Sequence, residues 1–345
     1  MKSNNEFRKD YLTGRWVIFA IGRRKRPSDF AVDRSEASTK KCVFCPGREH
    51  LTPPANLLYL RRGDRIVKSR DVGRHRRRGW VIRCIPNLYP ALIQEPPRST
   101  QNEIRCQYPF MKRPGTGVHE IVIESQIHDD HPHRASQRQI TLGLQAEIER
   151  IRALGRIRSI KSVVLFRNHG HEAGASIAHA HSQIIATPII PDRIEQEHQA
   201  MKKSFDRKDC MLCRISKAES RSKRAILRTR HFSVFAPWAS IYPFEFWIVP
   251  RKHSTTIVNS SKKEISDLAY AIHCSFGALA RALADPPYNS VFHLGPSRSR
   301  DDAFHWHIEV YPKLSIHAGF ELGTDIYINT MLPEEAAKAL ASKIQ

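Results

Sequence analysis

His179, His181 and Gln183 stand at two-residue intervals in "GASIAHAHSQIIATP" (residues 174–188), a run that is otherwise small and mostly apolar. In an extended strand alternate side chains share a face, so this spacing predicts two imidazoles and an amide pointing the same way. A neutral imidazole can attack phosphorus and carry a phosphoryl or nucleotidyl group as a covalent intermediate. A glutamine one step further along can donate an N–H to a phosphate oxygen as charge shifts in the transition state. Just upstream, "RNHGHEAGAS" supplies Asn168, Gly170, Gly174 and Ser176, a loop in which backbone can approach phosphate. His181 is therefore the candidate nucleophile and Gln183 its partner. The competing roles for His181 are a second metal ligand or a hydrogen-bonded core histidine.

His179 belongs to a different chemistry. Zinc in structural sites takes thiolate and imidazole in a tetrahedral set, often a CxxC pair with two histidines. The chain offers such a set twice: Cys42, Cys45, His128 and His179, then Cys210, Cys213, His253 and His305. Four protein donors fill the coordination sphere and leave no place for a catalytic water. Two Zn²⁺ ions per chain are expected, with the second set open to iron. His131, His133 and His307 lie close enough in sequence to compete with His128 and His305. Seven cysteines, an odd number containing two CxxC pairs, suit metal better than a disulfide framework.

The elements that position these residues recur. Glu120 precedes His128 by eight residues, and Glu245 precedes His253 by eight. His128 and His179 are 51 residues apart, His253 and His305 are 52 apart, and each of the later histidines opens an HxH. Phe166 and Phe292 each lie 13 residues before that HxH. Matches in the same order imply a duplicated unit. Between the ligands of each half, apolar residues at 140, 144, 148 and 151, and at 265, 268, 272, 276, 279 and 283, predict one amphipathic helix apiece. Val/Ile/Phe-rich runs at 120–124, 162–166 and 183–186, then 245–249, 290–294 and 305–311, predict the flanking strands. The fold class is α+β: two tandem units, each an antiparallel sheet with helices packed on it. The boundary falls in the charged stretch near 190–209, giving domains 1–195 and 196–345.

Hydrophobic content of 41% with 26% charged residues is that of a soluble globular protein, and no apolar run reaches the ~20 residues of a membrane span. The N-terminal MKSNNEFRKDYLTG contains no hydrophobic segment of the signal-peptide kind, so a cytoplasmic location is expected. The net charge of +22 attracts phosphates of any kind. A zinc-containing nucleic-acid-binding protein is the non-enzyme reading of that charge. However, CxxC-to-His spacings of 86 and 43 residues are too long for finger modules, which argues against nucleic acid.

The motif "HAHSQ" after "NHGHEAGAS" is similar to the active site of the galactose-1-phosphate uridylyltransferase family, a duplicated branch of the histidine-triad superfamily. "FRKDYLTGRWVIFAIGRRKRPSDF" resembles that family's opening, "CVFCPG" its first zinc pair and "NLYPAL" (87–92) its nucleoside-pocket segment. The likeness implies two histidine-triad-like units and ping-pong transfer: His181 attacks the α-phosphorus of a nucleotide sugar, and a phosphorylated acceptor takes the nucleotidyl group. It further implies that Arg23, Arg26, Asn168 and Ser176 meet phosphates and that Asn87 lies near the nucleoside. His307 takes the nucleophile's place in the second half but is followed by Glu309 where Gln183 would stand, so that half reads as catalytically degenerate. The expected partners are a nucleotide sugar and a sugar 1-phosphate, with a homodimer allowed. UDP-glucose:galactose-1-phosphate uridylyl transfer, a step of galactose metabolism, is the first expectation. The segment "AGFELGTDIYINTMLPEEAA" (318–337) and the second CxxC are closer to the short prokaryotic and ADP-glucose phosphorylase-like branch, so adenylyl transfer from an ADP-sugar to phosphate is the alternative.

Overall fold

Two long helices appear where the apolar stripes place them, α1 (Gln137–Gly155) and, after shorter helices α2 (Asp192–Phe205) and α3 (Met211–Glu219), α4 (Lys262–Leu283). Each starts on a serine cap: Ser136 accepts from Gln139 N, and Ser261 forms a capping box with Glu264. Leu144, Ile148 and Ile151 of α1 are buried with Leu268, Ile272, Phe276, Leu279 and Leu283 of α4 in one core cluster. Burying side chains of this size stabilises the fold by about 1.5–3 kcal/mol each. Two further helices, α5 (Gly319–Thr324) and α6 (Pro333–Ala341), lie near the C-terminus. The structure is a computed structural model and describes residues 5–21, 42–94, 105–107, 110–205, 210–299 and 301–345.

The first half contributes β1 (Glu6–Lys9), β2 (Trp16–Phe19), β3 (Leu57–Arg62), β4 (Arg65–Ser69) and β5 (Trp80–Pro86). It continues with a short pair, β6 (Arg105–Gln107) and β7 (Phe110–Lys112), then β8 (Val118–Ile123), β9 (Ser162–His169) and β10 (His181–Thr187). The second half contributes β11 (Ala225–Arg228), β12 (Phe232–Phe235), β13 (Phe246–Pro250), β14 (Tyr288–His293), β15 (His307–Pro312) and β16 (Tyr327–Asn329). Eleven strands form one sheet in the order β11-β12-β13-β15-β14-β9-β10-β8-β5-β3-β4. Read outward from its middle, β9-β10-β8-β5-β3 is mirrored by β14-β15-β13-β12-β11. The duplication inferred from spacing is thus a duplicated topology.

The antiparallel sheets of the two units join into one where β9 and β14 pair antiparallel, with Asn168 opposite Asn289 and Phe166 opposite Val291. Each unit would otherwise expose an unpaired strand edge at this point, and fusion covers both. The N-terminal hairpin β1–β2 joins β16 in a separate three-stranded sheet. Arg8 fastens it to the second half through Glu334 at 3.0 Å and through the face of Trp238 at 3.9 Å. Among the described residues no helix is long and apolar enough to cross a membrane.

The HxH strands begin later than the spacing suggests. β10 starts at His181 and β15 at His307, so His179 and His305 lie just ahead of their strands. The chain bends there because Ala180 is held on both sides, its N–H donating to His128 O and its carbonyl accepting from Glu124 N. His181 and Gln183 do share a strand face, whereas His179 is turned into the loop that carries the cysteines.

Candidate active site and metal centres

Both cysteine–histidine sets assemble as the spacing predicts. The donor atoms of Cys42, Cys45, His128 and His179 all lie within 4.8 Å of one another, as do those of Cys210, Cys213, His253 and His305. In the first set the Cys42 and Cys45 Sγ atoms are 3.7 and 3.6 Å from His179 Nδ1, and Cys45 Sγ is 3.5 Å from His128 Nδ1. In the second, Cys210 and Cys213 Sγ are 3.4 and 3.5 Å from His305 Nδ1. Tetrahedral zinc with ordinary Zn–S and Zn–N bonds separates sulfur from nitrogen by about 3.6 Å. The donors fit that ion.

Backbone carbonyls set the tautomers. His179 Nε2 donates to Ser125 O at 2.8 Å and His253 Nε2 to Asp302 O at 2.7 Å, which leaves each Nδ1 lone pair for a metal. The Cys210 thiol is drawn down to about 2, foremost by its hydrogen bond from Cys213, then, against burial, by those from His253 and His305. Burial, followed by the charge of Cys42, pushes Cys45 up to about 11. His131 and His133, the sequence competitors, turn instead to Asp129 at 3.3 Å and Asp285 at 3.5 Å.

His181 follows directly on the first centre. Its Nδ1–H donates to the carbonyl of His179 at 2.7 Å, so the lone pair sits on Nε2. Burial holds the imidazole below its usual range and hence neutral at pH 7, outweighing the hydrogen bond to His179. A neutral, tautomerically fixed imidazole is the form able to attack phosphorus. Gln183, two residues along the same face, lies with Oε1 3.0 Å from His119 Nε2. Asn168 is presented by β9, and its Oδ1 accepts from Asn289 Nδ2 at 2.9 Å, while the same amide reaches Ala173 O at 2.8 Å. The loop between β9 and β10 turns at Gly170 (φ +82°), where a Cβ would come within 2.7 Å of Pro287. Ser176 is exposed on that loop, and Asn87 follows β5 with its Oδ1 accepting from Tyr89 N at 2.9 Å. Arg23 and Arg26 lie outside the described residues.

The second half repeats the backbone but closes the site. His307 Nδ1 is 3.2 Å from His305 O, as in the first half, yet its Nε2 is held by Glu309 Oε1 at 3.2 Å and the residue is fully buried. Burial opposes the charge on His307, but the hydrogen bond to Glu309 and the charge of Glu197 raise it above its usual range. Glu197, His293, His307 and Glu309 converge within 4.8 Å, and Arg193 bridges the two carboxylates at 3.1 and 2.7 Å. Arg193→Ala strands two buried carboxylates, for which a loss of about 3–5 kcal/mol is expected in urea denaturation. A change below about 1 kcal/mol would show that the histidines balance the carboxylates unaided.

Sequence reasoning did not single out His119, Asn289, Arg193, Glu197 or His293. Only His119 carried a local signal, as the polar member of the alternating face that includes Ile121 and Ile123.

Two β-α-β-β units fused in one sheet, with the His-Ala-His-Ser-Gln segment leading into β10 of the first, define a duplicated α+β fold. The family model described as "Domain of unknown function (DUF4921)" matches residues 117–345. An ADP-glucose phosphorylase of Arabidopsis thaliana is 35% identical over 344 residues, covering 97% of this chain and 92% of that protein. A galactose-1-phosphate uridylyltransferase of Thermotoga maritima is 29% identical over 345 residues, covering 97% of each. The crystal structure of an Arabidopsis thaliana ADP-glucose phosphorylase with bound ADP-glucose aligns with a TM-score of 0.80 at 32% identity, covering 98% of this chain and 99% of that one. A uridylyltransferase structure aligns at 0.73 with 28% identity, covering 98% of each chain. The chain belongs to the galactose-1-phosphate uridylyltransferase family.

Proposed function

We propose that the protein is a nucleotidyltransferase that works through a covalent nucleotidyl-His181, with an ADP-sugar as donor and inorganic phosphate as acceptor. The observation that carries the chemistry is the His181 imidazole, kept neutral by burial, with Nδ1 tied to the His179 carbonyl at 2.7 Å. Nε2 attacks the α-phosphorus, an N–P bond forms, and the bond to the bridging oxygen breaks to release the sugar 1-phosphate. A phosphate oxygen then attacks the same phosphorus, the N–P bond breaks and ADP leaves. The proton stays on His181 Nδ1 throughout, donated to the His179 carbonyl, and this hydrogen bond stabilises the charge that the nucleotidylated ring acquires. Gln183 donates to a non-bridging oxygen, and Asn168 and Ser176 line the phosphate path.

The metals take no part in these steps. With four protein donors in each set, they would tie the cysteine loops to the bends before β10 and β15, and zinc is the ion we assign to both.

The acceptor is the finer question. The adenylyl reading is favoured by the greater likeness to the ADP-glucose phosphorylase, 35% identical against 29% for the uridylyltransferase, and by the segment 318–337, which resembles the ADP-glucose phosphorylase-like branch. Glu321 in that segment already accepts from Ala318 N at 3.0 Å, capping α5. Uridylyl transfer to a hexose 1-phosphate is the second reading, supported by the Thermotoga maritima relative. Mixing the enzyme with ADP-glucose and with UDP-glucose, each with phosphate or galactose 1-phosphate, separates them. ADP-glucose with phosphate is expected to give glucose 1-phosphate and ADP at a rate at least ten times that of UDP-glucose with galactose 1-phosphate. The reverse ranking moves the assignment to uridylyl transfer.

A further inference from the structure

His119 lies on β8 opposite Ile185 of β10 and is buried. Its ring touches three groups of the candidate site at once. Ala91 N–H donates to Nδ1 at 3.2 Å, which places the lone pair there. A neutral imidazole with its lone pair on Nδ1 carries its proton on Nε2, and Nε2 is 3.0 Å from Gln183 Oε1. The carbonyl end of Gln183 is therefore taken, and its amide nitrogen is the end left for substrate. On the other side, Asn87 Nδ2 is seated against the ring, 3.2 Å from Nε2 and 3.4 Å from Nδ1, while Asn87 N donates to the His119 carbonyl at 2.9 Å.

A side-chain amide has two ends of nearly equal shape, and only the NH₂ end can donate to a phosphate oxygen. Gln183 has no other hydrogen-bond partner of its own for that amide among the described contacts, so nothing else selects the end. We propose that His119 is a positioning residue: it orients the Gln183 amide toward the α-phosphate and binds the nucleoside-side segment Asn87–Ala91 to the same ring. The inference rests on the roles given above to His181 and Gln183. It adds that base-side and phosphate-side contacts share one support, so that a shift in the Asn87–Ala91 segment alters the transition-state donor.

The test is the rate of covalent labelling from ADP-glucose carrying radioactive α-phosphate, measured at saturating donor in wild type, His119→Phe, Gln183→Ala and the double variant. Gln183→Ala is expected to label on the order of 100- to 1,000-fold slower, the usual effect of losing one transition-state donor. His119→Phe is expected to slow labelling by at least 10-fold at unchanged final stoichiometry. The double variant should then be no slower than Gln183→Ala, because at saturating donor the nucleoside-side contact no longer limits the rate and His119 acts on the labelling step through that amide. His119→Gln keeps a donor at the Nε2 position and should recover to within about fivefold of wild type, whereas His119→Met, close to glutamine in shape but lacking the donor, should not. That pair decides the matter if His119→Phe fails to fold. Wild-type labelling in His119→Phe or His119→Met, or losses that multiply in the double variant, overturns the role of His119 alone. A wild type that takes no label on His181 overturns both this role and the nucleotidyl-histidine reading beneath it.

Discussion

His181→Gly is expected to keep its fold and both metals yet take no nucleotidyl label. His181 is outside both cysteine–histidine sets, so removing it vacates no ligand position. Among the described residues it is also the one imidazole beside Gln183 with no hydrogen bond to its Nε2, since His119 Nε2 meets Gln183 Oε1 at 3.0 Å and the counterpart His307 is held by Glu309 at 3.2 Å. Loss of a covalent nucleophile costs on the order of 10⁶-fold in turnover, and the variant should be silent in any practical labelling assay. Added imidazole, entering the vacated space, should restore a measurable fraction. Gln183→Ala should behave differently and label completely but slowly. Mass spectrometry of the intact chain after mixing with ADP-glucose reads all three outcomes. A His181→Gly protein that loses metal while still transferring would reverse the roles of His179 and His181, and the mechanism would have to be rebuilt around the former.

Metal removal is expected to have the second-largest effect. Freshly purified protein should carry about two zinc equivalents, with Cys42→Ser and Cys210→Ser each losing one. Structural zinc binding of this kind is worth about 10–16 kcal/mol in small modules. Even if most of that free energy is offset in a chain with its own large core, a loss of at least ~3 kcal/mol, on the order of 6 °C in Tm, should follow chelation. The two centres should part company in activity. The first positions the His179 carbonyl that holds His181 Nδ1, so Cys42→Ser should slow labelling as well as lower Tm. The second supports the closed half, and Cys210→Ser should lower Tm with little change in labelling rate. Elemental analysis that finds no metal in folded protein would remove the assignment, and equal slowing by the two variants would remove the distinction between the centres.

Much of this site is legible in the sequence. Two-residue spacing puts His181 and Gln183 on one face because side-chain direction in a strand has a period of two, whatever the strand pairs with. The cysteine pairs and histidines could be matched because thiolate and imidazole in one set have few other uses, and because the second half repeats the first in register. The helix stripes at 140–151 and 265–283 were equally local, each face being decided by periodicity within its own element.

What needed the tertiary structure was everything set by strand neighbours. His119 and Gln183 are 64 residues apart in sequence, and Asn289 and Asn168 are 121 apart. No periodicity reveals that β8 and β9 flank β10, or that β14 closes on β9 to fuse two sheets into one. Pairing register is a non-local choice, decided by which exposed edges meet and which faces they bury together. For the same reason the closed second site was only half readable. Glu309 in place of a glutamine could be seen in the sequence, but not the bridge by which Arg193, from a helix outside the repeat, joins it to Glu197. The sequence by itself determined which residues could do the chemistry and which face of each element they share; the sheet order decided which of them meet, because strand pairing is chosen between segments far apart in the chain.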